Sequence, residues 1–317
     1  MALLIIGSTR SSQFAEAARA LAPSMDIRVW PNKAGRIEDI RYALAWIPPP
    51  GALRQLPNLE LIVSVGAGVD HIFKDPELPA GVPLVRFVDP DLTGRMTQYV
   101  TLHVLWHHRR MCEFIEQQRV RQWKYLPEPA AQEIRVGLMG LGQMGLGAAK
   151  GLAPHGYRLR GWSRSEHRIE GIECFAGEAS FEPFLAETDI LVSILPLTQE
   201  TRGILNMDVF RKLSTKGRHP RMPGPAIINA GRGGLQVEAD ILKALETGVL
   251  HSASLDVFET EPLPADSPIW ESKRIVVTPH NASESEPYAI VRYALKQIKA
   301  KQDGRPLENI VDPTKGY

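Results

Sequence analysis

The stretch that decides the fold reads Ile134-Arg-Val-Gly-Leu-Met139, then Gly140-Leu-Gly-Gln-Met-Gly145, then Leu146-Gly-Ala-Ala-Lys-Gly-Leu-Ala153. The first part is a short apolar run that predicts a buried strand. The last part continues from Gln143 with apolar and small residues at helical spacing, and predicts a helix. A glycine-rich turn therefore connects a strand directly to the start of a helix.

This glycine spacing is typical of a turn that binds a dinucleotide. Gly140 permits the tight turn, Gly142 lets a pyrophosphate approach the backbone, and Gly145 lets the helix pack closely on the strand. The phosphates would lie at the positive end of the helix, and a plain turn without a ligand is the alternative. The predicted phosphate contacts are Gly140, Leu141, Gly142, Gln143, Met144 and Gly145.

Two series of strands, alternating with helical patterns, lie on either side of this turn. The strands predicted before it are Leu3–Ile6, Ile27–Trp30, Ala43–Ile47, Leu61–Val65 and Leu84–Val88. Those predicted from the turn region onward are Ile134–Met139, Tyr157–Trp162, Ile190–Leu195, Ala226–Asn229, Ala253–Val257 and Ile275–Thr278. Such alternation predicts an α/β protein with two doubly wound parallel sheets.

A length of 317 residues is sufficient for two domains with separate cores. We predict that residues 101–285 form a dinucleotide-binding domain inserted into a smaller domain made of residues 1–100 and 286–317. A helix over about 287–302 would return to the first domain. A second long helix is predicted from Met96 to Gln122, where Gly and Pro are absent.

Composition excludes several classes of function. The 37 basic and 36 acidic residues give a formal net charge of +1, which offers no excess charge to neutralise a nucleic-acid backbone. Cys112 and Cys174 form no metal-like or redox-like pair, so we expect no metal site and a reducing compartment, the cytoplasm. No apolar run approaches the roughly 18 residues of a membrane helix, so we expect no membrane partner.

The residues after the second strand of the nucleotide-binding series indicate which dinucleotide is bound. An NAD site usually has an acidic residue there, accepting hydrogen bonds from the ribose hydroxyls. This sequence has Ser163, Arg164 and Ser165 instead. Because an arginine between hydroxyls attracts a 2′-phosphate, we predict NADPH rather than NADH. A solvated arginine in a surface turn is the alternative.

Three later segments each follow a predicted strand: Ile228-Asn-Ala-Gly-Arg-Gly-Gly234, Asp256-Val-Phe-Glu-Thr-Glu-Pro262 and Thr278-Pro-His280. They place Arg232, Glu261 and His280 at the carboxyl ends of parallel strands, where open α/β sheets bind ligands. Taken singly, each has another explanation: Arg232 as a surface charge, Glu261 as a solvated turn acid and His280 as a structural histidine. Their occurrence together and in order favours a catalytic set.

The order of these motifs resembles the D-2-hydroxyacid dehydrogenase family, and within it the glyoxylate/hydroxypyruvate reductase branch. Gly161-Trp-Ser-Arg-Ser165, Leu263-Pro-Ala-Asp-Ser-Pro-Ile-Trp270 and Val65-Gly-Ala-Gly-Val-Asp-His71 extend the resemblance over nearly the whole chain. It implies a Rossmann domain inserted into a smaller flavodoxin-like substrate-binding domain. It also implies NADPH-dependent reduction of small 2-oxo acids such as glyoxylate and hydroxypyruvate.

The resemblance assigns a role to each candidate residue. His280 would be the general acid and base, Glu261 its partner, and Arg232 the group that binds the substrate carboxylate. Further predicted substrate contacts are the side chain of Trp46 and the backbone of Ala67 and Gly68. For Trp46, a purely structural role in the core explains the sequence equally well. The remaining predicted cofactor contacts are Leu195, Pro196, Thr201, Ala230, Gly231 and Asp256.

Other interpretations remain open. The chain could be a dinucleotide-sensing binding protein that keeps the dehydrogenase fold, or a family member acting on another substrate, such as formate, phosphite or phosphoglycerate. The Met96–Gln122 helix resembles the arm through which the family forms homodimers, although a helix that merely spans two domains is the alternative. The Thr215–Pro225 loop, which is longer than usual, and Gln98, where an acid is common, depart from the family pattern.

Overall fold

The computed structural model describes residues 1–8, 10–66 and 68–312. The chain forms two compact units, one of Met1–Asp91 with Ser285–Tyr317 and the other of Leu92–Glu284. Each unit has one parallel β-sheet between layers of helices. The predicted class, α/β with two doubly wound sheets, is confirmed.

The first unit has a five-stranded sheet in the order β2-β1-β3-β4-β5, the order of flavodoxin-like folds. Its strands are β1 (Ala2–Ile6), β2 (Asp26–Val29), β3 (Ile40–Ala45), β4 (Leu61–Ser64) and β5 (Leu84–Arg86). Its helices are α1 (Ser11–Leu21), α2 (Asp70–Phe73) and α9 (Pro287–Gln302). The apolar residues of α9 pack with α1 on this sheet. The final helix therefore packs on the first sheet.

The second unit has a seven-stranded sheet in the order β12-β11-β10-β9-β6-β7-β8. Its strands are β6 (Arg135–Met139), β7 (Arg158–Ser163), β8 (Ile172–Ala176), β9 (Ile190–Ser193), β10 (Ala226–Asn229), β11 (Ser252–Leu255) and β12 (Ile275–Val277). Its helices, with α3 starting just before the unit, are α3 (Pro90–His108), α4 (Met111–Arg119), α5 (Gln143–Leu152), α6 (Phe181–Ala186), α7 (Met207–Lys212) and α8 (Glu238–Glu246). The strand order reverses between β6 and β9, the point where doubly wound sheets bind dinucleotides.

The single long helix predicted from Met96 to Gln122 is wrong. The chain forms α3 and α4 with a break at Arg110, whose φ of 56° is left-handed and ends the helix. The Arg110 side chain donates to Glu113 in the first turn of α4, at 2.8 Å. No glycine or proline accompanies the break, so the sequence pattern contained no signal for it.

The edge strand β8 was also missed. Its residues are half-buried or exposed and alternate less clearly than those of the central strands. Within the part of the chain that the structure describes, no helix combines the length and the apolar character needed to cross a membrane.

Candidate active site

The glycine turn between β6 and α5 has the geometry that a dinucleotide requires. A Cβ atom at Gly145 would stand 1.9 Å from the carbonyl oxygen of Gly140, so only glycine allows this helix to pack against the turn. A Cβ at Gly142 would meet no atom within 4 Å, which leaves open space beside the N-terminus of α5. This arrangement fits the pyrophosphate of a dinucleotide.

The end of β7 forms a compact turn that presents a cation. The buried Ser163 hydroxyl donates to the carbonyl oxygen of Ser165, at 2.7 Å. The side chains of Arg164 and Ser165 are exposed. Ser163 therefore shapes the turn, and Arg164 and Ser165 are the two predicted contacts that remain accessible to a ligand.

Four of the other predicted cofactor contacts lie at the ends of β9 and β10. Leu195 and Gly231 approach closely, since a Cβ at Gly231 would stand 2.8 Å from the Leu195 carbonyl oxygen. Pro196 and Ala230 adjoin them in sequence. Thr201 lies further along the loop after β9, where its hydroxyl donates to the Pro196 carbonyl at 2.7 Å.

Arg232 lies on a loop held by a buried side chain of β10. The amide oxygen of Asn229 accepts from the Gly231 N–H at 3.1 Å, and its amide nitrogen donates to the Arg232 carbonyl at 3.1 Å. Gly233 follows, where a Cβ would stand 1.7 Å from the Phe258 carbonyl oxygen. The Arg232 loop therefore lies directly against the loop that contains Phe258 and Glu261.

His280 and Glu261 form a hydrogen-bonded pair. The distance between His280 Nδ1 and Glu261 Oε2 is 2.7 Å, and Glu261 Oε1 accepts from the Phe258 N–H at 3.0 Å. Partial burial alone would raise the pKa of the Glu261 carboxyl. The hydrogen bonds from His280 and Phe258 and the positive charges of His280 and Arg232 outweigh it, so the pKa lies below its ordinary value. The carboxylate is thus charged at neutral pH.

The loop carrying His280 is held by Asp256. Its buried carboxylate accepts from the Asn281 N–H at 3.0 Å, the Ala282 N–H at 2.9 Å and the Thr278 hydroxyl at 2.6 Å. The Asp256 carbonyl accepts from the His280 N–H at 2.7 Å. These bonds stabilise His280 in a left-handed conformation, with a φ of 54°. The observed contacts of Asp256 thus position His280, and its predicted contact with the cofactor stays a prediction.

Tyr99 contacts the same loop, and no local sequence pattern distinguishes it. Its hydroxyl lies 2.9 Å from the Thr278 hydroxyl. Because Thr278 donates its only proton to Asp256, Tyr99 must be the donor to Thr278. Burial raises the pKa of Tyr99 well above its ordinary value, so the hydroxyl keeps its proton. Gln236, which hydrogen-bonds the Asn229 amide, was also missed.

Two other histidines of this unit are structural. Burial lowers the pKa of His103 to about 4, and burial, aided by neighbouring histidine charges, lowers that of His107 to about 3, so both are neutral at pH 7. His103 contacts the Ser254 hydroxyl at 2.7 Å, and His107 contacts those of Ser252 and Ser254 at 2.8 and 2.9 Å.

The predicted substrate contacts of the first unit lie around the end of β4. The ring of Trp46 packs over Gly66, where a Cβ would meet it at 2.7 Å, and its centroid is 4.1 Å from that of His71. The buried Ser64 hydroxyl lies 3.2 Å from the Gly66 carbonyl and 3.5 Å from that of Gly68. Ala67 lies outside the described residues. Substrate contact by Trp46, Ala67 and Gly68 stays a prediction.

Metal ligation has no candidate in residues 1–8, 10–66 and 68–312, where no group of three or more His, Cys, Asp or Glu side chains could hold an ion.

The strand order and the glycine turn define a dinucleotide-binding α/β protein. The His280–Glu261 pair lies at the same edge of the sheet and can transfer a proton, as an oxidoreductase requires. Residues 101–282 match the family described as D-isomer specific 2-hydroxyacid dehydrogenase, NAD binding domain. The chain belongs to this family, as its motif order predicted.

Similar proteins cover the whole chain. Glyoxylate/hydroxypyruvate reductase A of Yersinia enterocolitica is 35% identical over 312 residues, which is 97% of this chain and 96% of that protein. The NADPH-dependent glyoxylate/hydroxypyruvate reductase of Sinorhizobium meliloti, crystallised with NADP and sulfate, is 41% identical with a TM-score of 0.92 and covers both chains completely. A D-isomer specific 2-hydroxyacid dehydrogenase of Xanthobacter autotrophicus Py2, in complex with NADPH and MES, is 39% identical with a TM-score of 0.91, covering 100% of this chain and 99% of that one.

Proposed function

We propose that this protein uses NADPH to reduce glyoxylate, hydroxypyruvate and similar small 2-oxo acids to 2-hydroxy acids. The observation that supports this most strongly is the His280–Glu261 pair, at 2.7 Å, beside the loop of Arg232. The pair lies at the same edge of the sheet as the glycine turn, where a dinucleotide fits. The similar proteins named as glyoxylate/hydroxypyruvate reductases support the same substrates.

His280 provides the proton in the proposed reaction. Its Nδ1 faces Glu261, so Nε2 is the nitrogen that gives a proton to the substrate oxygen as the keto carbon becomes an alcohol. Bound NADPH supplies the hydride that the carbon takes up. Glu261 stabilises the imidazolium form before transfer and keeps the ring oriented, and in the reverse direction the neutral ring accepts the proton.

Arg232 binds the substrate carboxylate in this proposal. Its planar guanidinium can donate two parallel hydrogen bonds to a carboxylate, and its charge also stabilises the negative charge that develops on the substrate oxygen. The position of its loop against the Glu261 loop, shown by the contact of Gly233 with Phe258, supports this double role.

NADPH is the proposed cofactor because of the turn after β7. Arg164 and Ser165 are exposed there and could contact a 2′-phosphate, whereas an acidic side chain at this point would repel it. The structures of similar proteins with NADP or NADPH support the same choice.

Steady-state turnover is the direct test. NADPH oxidation should depend on glyoxylate or hydroxypyruvate, and kcat/KM with NADPH should exceed that with NADH by at least about tenfold, as loss of one charge-assisted contact predicts. A protein that binds NADPH but turns over none of these acids would instead support a dinucleotide-sensing role. Turnover of formate, phosphite or phosphoglycerate alone would assign another substrate.

We also propose that the protein is a homodimer in the cytoplasm. Val120, Trp123 and Tyr125, after α4, are among its most exposed apolar side chains and would be covered by a second copy. Both cysteines are free thiols, which supports a reducing compartment. Light scattering should give a molar mass of twice 35.2 kDa for the parent protein. A Trp123→Ser/Tyr125→Ser variant should have the mass of a single chain. A monomeric parent protein would contradict the dimer, and Trp270→Ser, at another exposed tryptophan, is the control.

A further inference from the structure

Gln236 is a buried side-chain amide that lies four residues after Arg232 and is not among the predicted ligand contacts. Its side-chain oxygen accepts from the Asn229 amide nitrogen at 2.8 Å, and its nitrogen donates to the Val257 carbonyl at 2.9 Å and, over a longer 3.5 Å, to the Glu238 carboxylate. The residue is only 2% exposed. Because a buried amide is unfavourable without hydrogen bonds, these bonds account for a polar residue at this point.

On one side, Gln236 controls the amide that holds the Arg232 loop. Asn229 has two amide protons, and one is donated to Gln236 while the other is donated to the Arg232 carbonyl at 3.1 Å. The bond to Gln236 therefore fixes the rotation of the Asn229 amide. Without it, the Asn229 amide would be held only by the Gly231 N–H and the Arg232 carbonyl, so the donor to Arg232 would be less well oriented.

On the other side, Gln236 holds the peptide group that binds Glu261. The carbonyl of Val257 and the N–H of Phe258 belong to the same planar peptide. The carbonyl accepts from Gln236, and the N–H donates to Glu261 Oε1 at 3.0 Å. Gln236 therefore fixes the direction in which this N–H points.

We propose that Gln236 is a positioning residue that sets the position of Arg232 relative to the Glu261–His280 pair. The inference rests on the proposed function, in which Arg232 binds the substrate and His280 gives the proton. Errors of about 1 Å between such groups can lower the rate about a hundredfold.

Two further hydrogen bonds connect the loops and do not involve the Gln236 side chain, so we expect a Gln236 variant to fold. The N–H of Glu238 donates to the Glu259 carboxylate at 2.8 Å, and that of Glu259 donates to the Glu238 carboxylate at 2.7 Å. A matched control exists in the other unit. Gln297 is 1% exposed, donates to Glu308 at 3.2 Å and accepts from its N–H at 2.9 Å.

The experiment is a double-mutant cycle of Gln236→Met and Arg232→Ala, with glyoxylate and NADPH. Gln236→Met should lower kcat/KM for glyoxylate at least about tenfold in the parent protein and less than about threefold in the Arg232→Ala background, while the Kd for NADPH stays within about twofold. Gln297→Met should change kcat/KM less than about twofold in both backgrounds.

An equal loss in both backgrounds, or no loss in either, would overturn the role of Gln236. If Arg232→Ala itself keeps the activity of the parent, the proposed function of Arg232 is wrong instead, so the two failures are distinguishable. Should Gln236→Met fail to fold, Gln236→Asn takes its place in the cycle. It keeps the amide but is one methylene too short for both bonds, and the same dependence on Arg232 is required of it.

Discussion

The seven-stranded sheet has charged side chains at both the amino and the carboxyl ends of its strands, which we call its amino edge and its carboxyl edge, and the two sets differ in burial. At the amino ends of the strands, the Arg135 guanidinium is buried and contacts Asp189 at 2.7 Å, and that of Arg160 contacts Glu187 at 2.7 Å. At the carboxyl ends, Arg164 is exposed, and His280 and Glu261 each keep 36% of the side chain exposed. The buried arginines at the amino edge are neutralised within the protein, whereas Arg164 and the His280–Glu261 pair at the carboxyl edge are accessible to a ligand.

This difference shows why a charged residue cannot be assigned a function from its type. Arg135 and Arg160 are held in ion pairs within the protein. The guanidinium carbon of Arg160 also lies 4.6 Å from the centroid of the Phe175 ring. Residues at the carboxyl ends lie where the reversal of strand order leaves room for a ligand. Substitutions at the two edges should therefore separate activity from stability.

The largest effect is expected at the carboxyl edge, for His280→Ala. Loss of a general acid should lower kcat on the order of 10²–10⁴-fold, because the substrate oxygen then has no positioned proton donor. The NADPH Kd, measured by fluorescence titration, should change little. His155→Ala, at an exposed histidine of the same unit, is the control. A His280→Ala enzyme with more than about a tenth of the parent kcat would remove His280 from the proposed site.

At the amino edge, Arg135→Met should impair stability and spare catalysis. It leaves the carboxylate of Asp189 buried without its partner, which costs about 3–5 kcal/mol. The melting temperature should fall by about 6–20 °C, while kcat/KM measured well below melting stays within about twofold. Arg158→Met, at an exposed arginine of the same edge, should change stability by less than about 0.5 kcal/mol. Loss of turnover in a folded Arg135→Met protein would contradict the separation of the two edges.

Charge reversal at Arg164 tests the choice of cofactor. Arg164→Asp replaces attraction by repulsion at the proposed 2′-phosphate site, so NADPH affinity should fall about 10- to 150-fold while NADH affinity changes much less. The readout is the ratio of the two Kd values. Arg158→Asp reverses the same charge at the opposite edge and should leave this ratio unchanged. An Arg164→Asp protein that still prefers NADPH as strongly as the parent would show that another residue selects the cofactor.

Sequence patterns predicted the fold, and they singled out the residues of the proposed site, because both inferences use local features. Strand periodicity, the Gly140–Gly145 turn and the placement of Arg232, Glu261 and His280 after strands are all visible within short segments. The contacts of Tyr99 with Thr278 and of Gln236 with Val257 depend on which elements the fold brings together. Nothing within a short segment distinguishes those residues from ordinary polar ones. The left-handed backbone conformation of Arg110, which separates α3 from α4, also has no signal in the local sequence.

The smallest effect on rate, and the sharpest test of mechanism, is expected for Glu261→Gln. The carboxylate has a lowered pKa and stays charged over the working range, so in the parent it favours the imidazolium form of His280. The amide removes that charge. Reduction, which needs the protonated ring, should then fade at a lower pH than in the parent, and oxidation, which needs the neutral ring, should begin at a lower pH.

The measurement that tests the central claim most directly is the pair of pH profiles of kcat/KM, for 2-oxo acid reduction and 2-hydroxy acid oxidation, in the parent and Glu261→Gln enzymes. The proposed role of the pair predicts that the upper limit of reduction and the lower limit of oxidation both move to lower pH, with a smaller loss of peak activity than in His280→Ala. Profiles whose limits coincide with those of the parent in both directions would contradict the assignment of Glu261 as the partner of a catalytic His280.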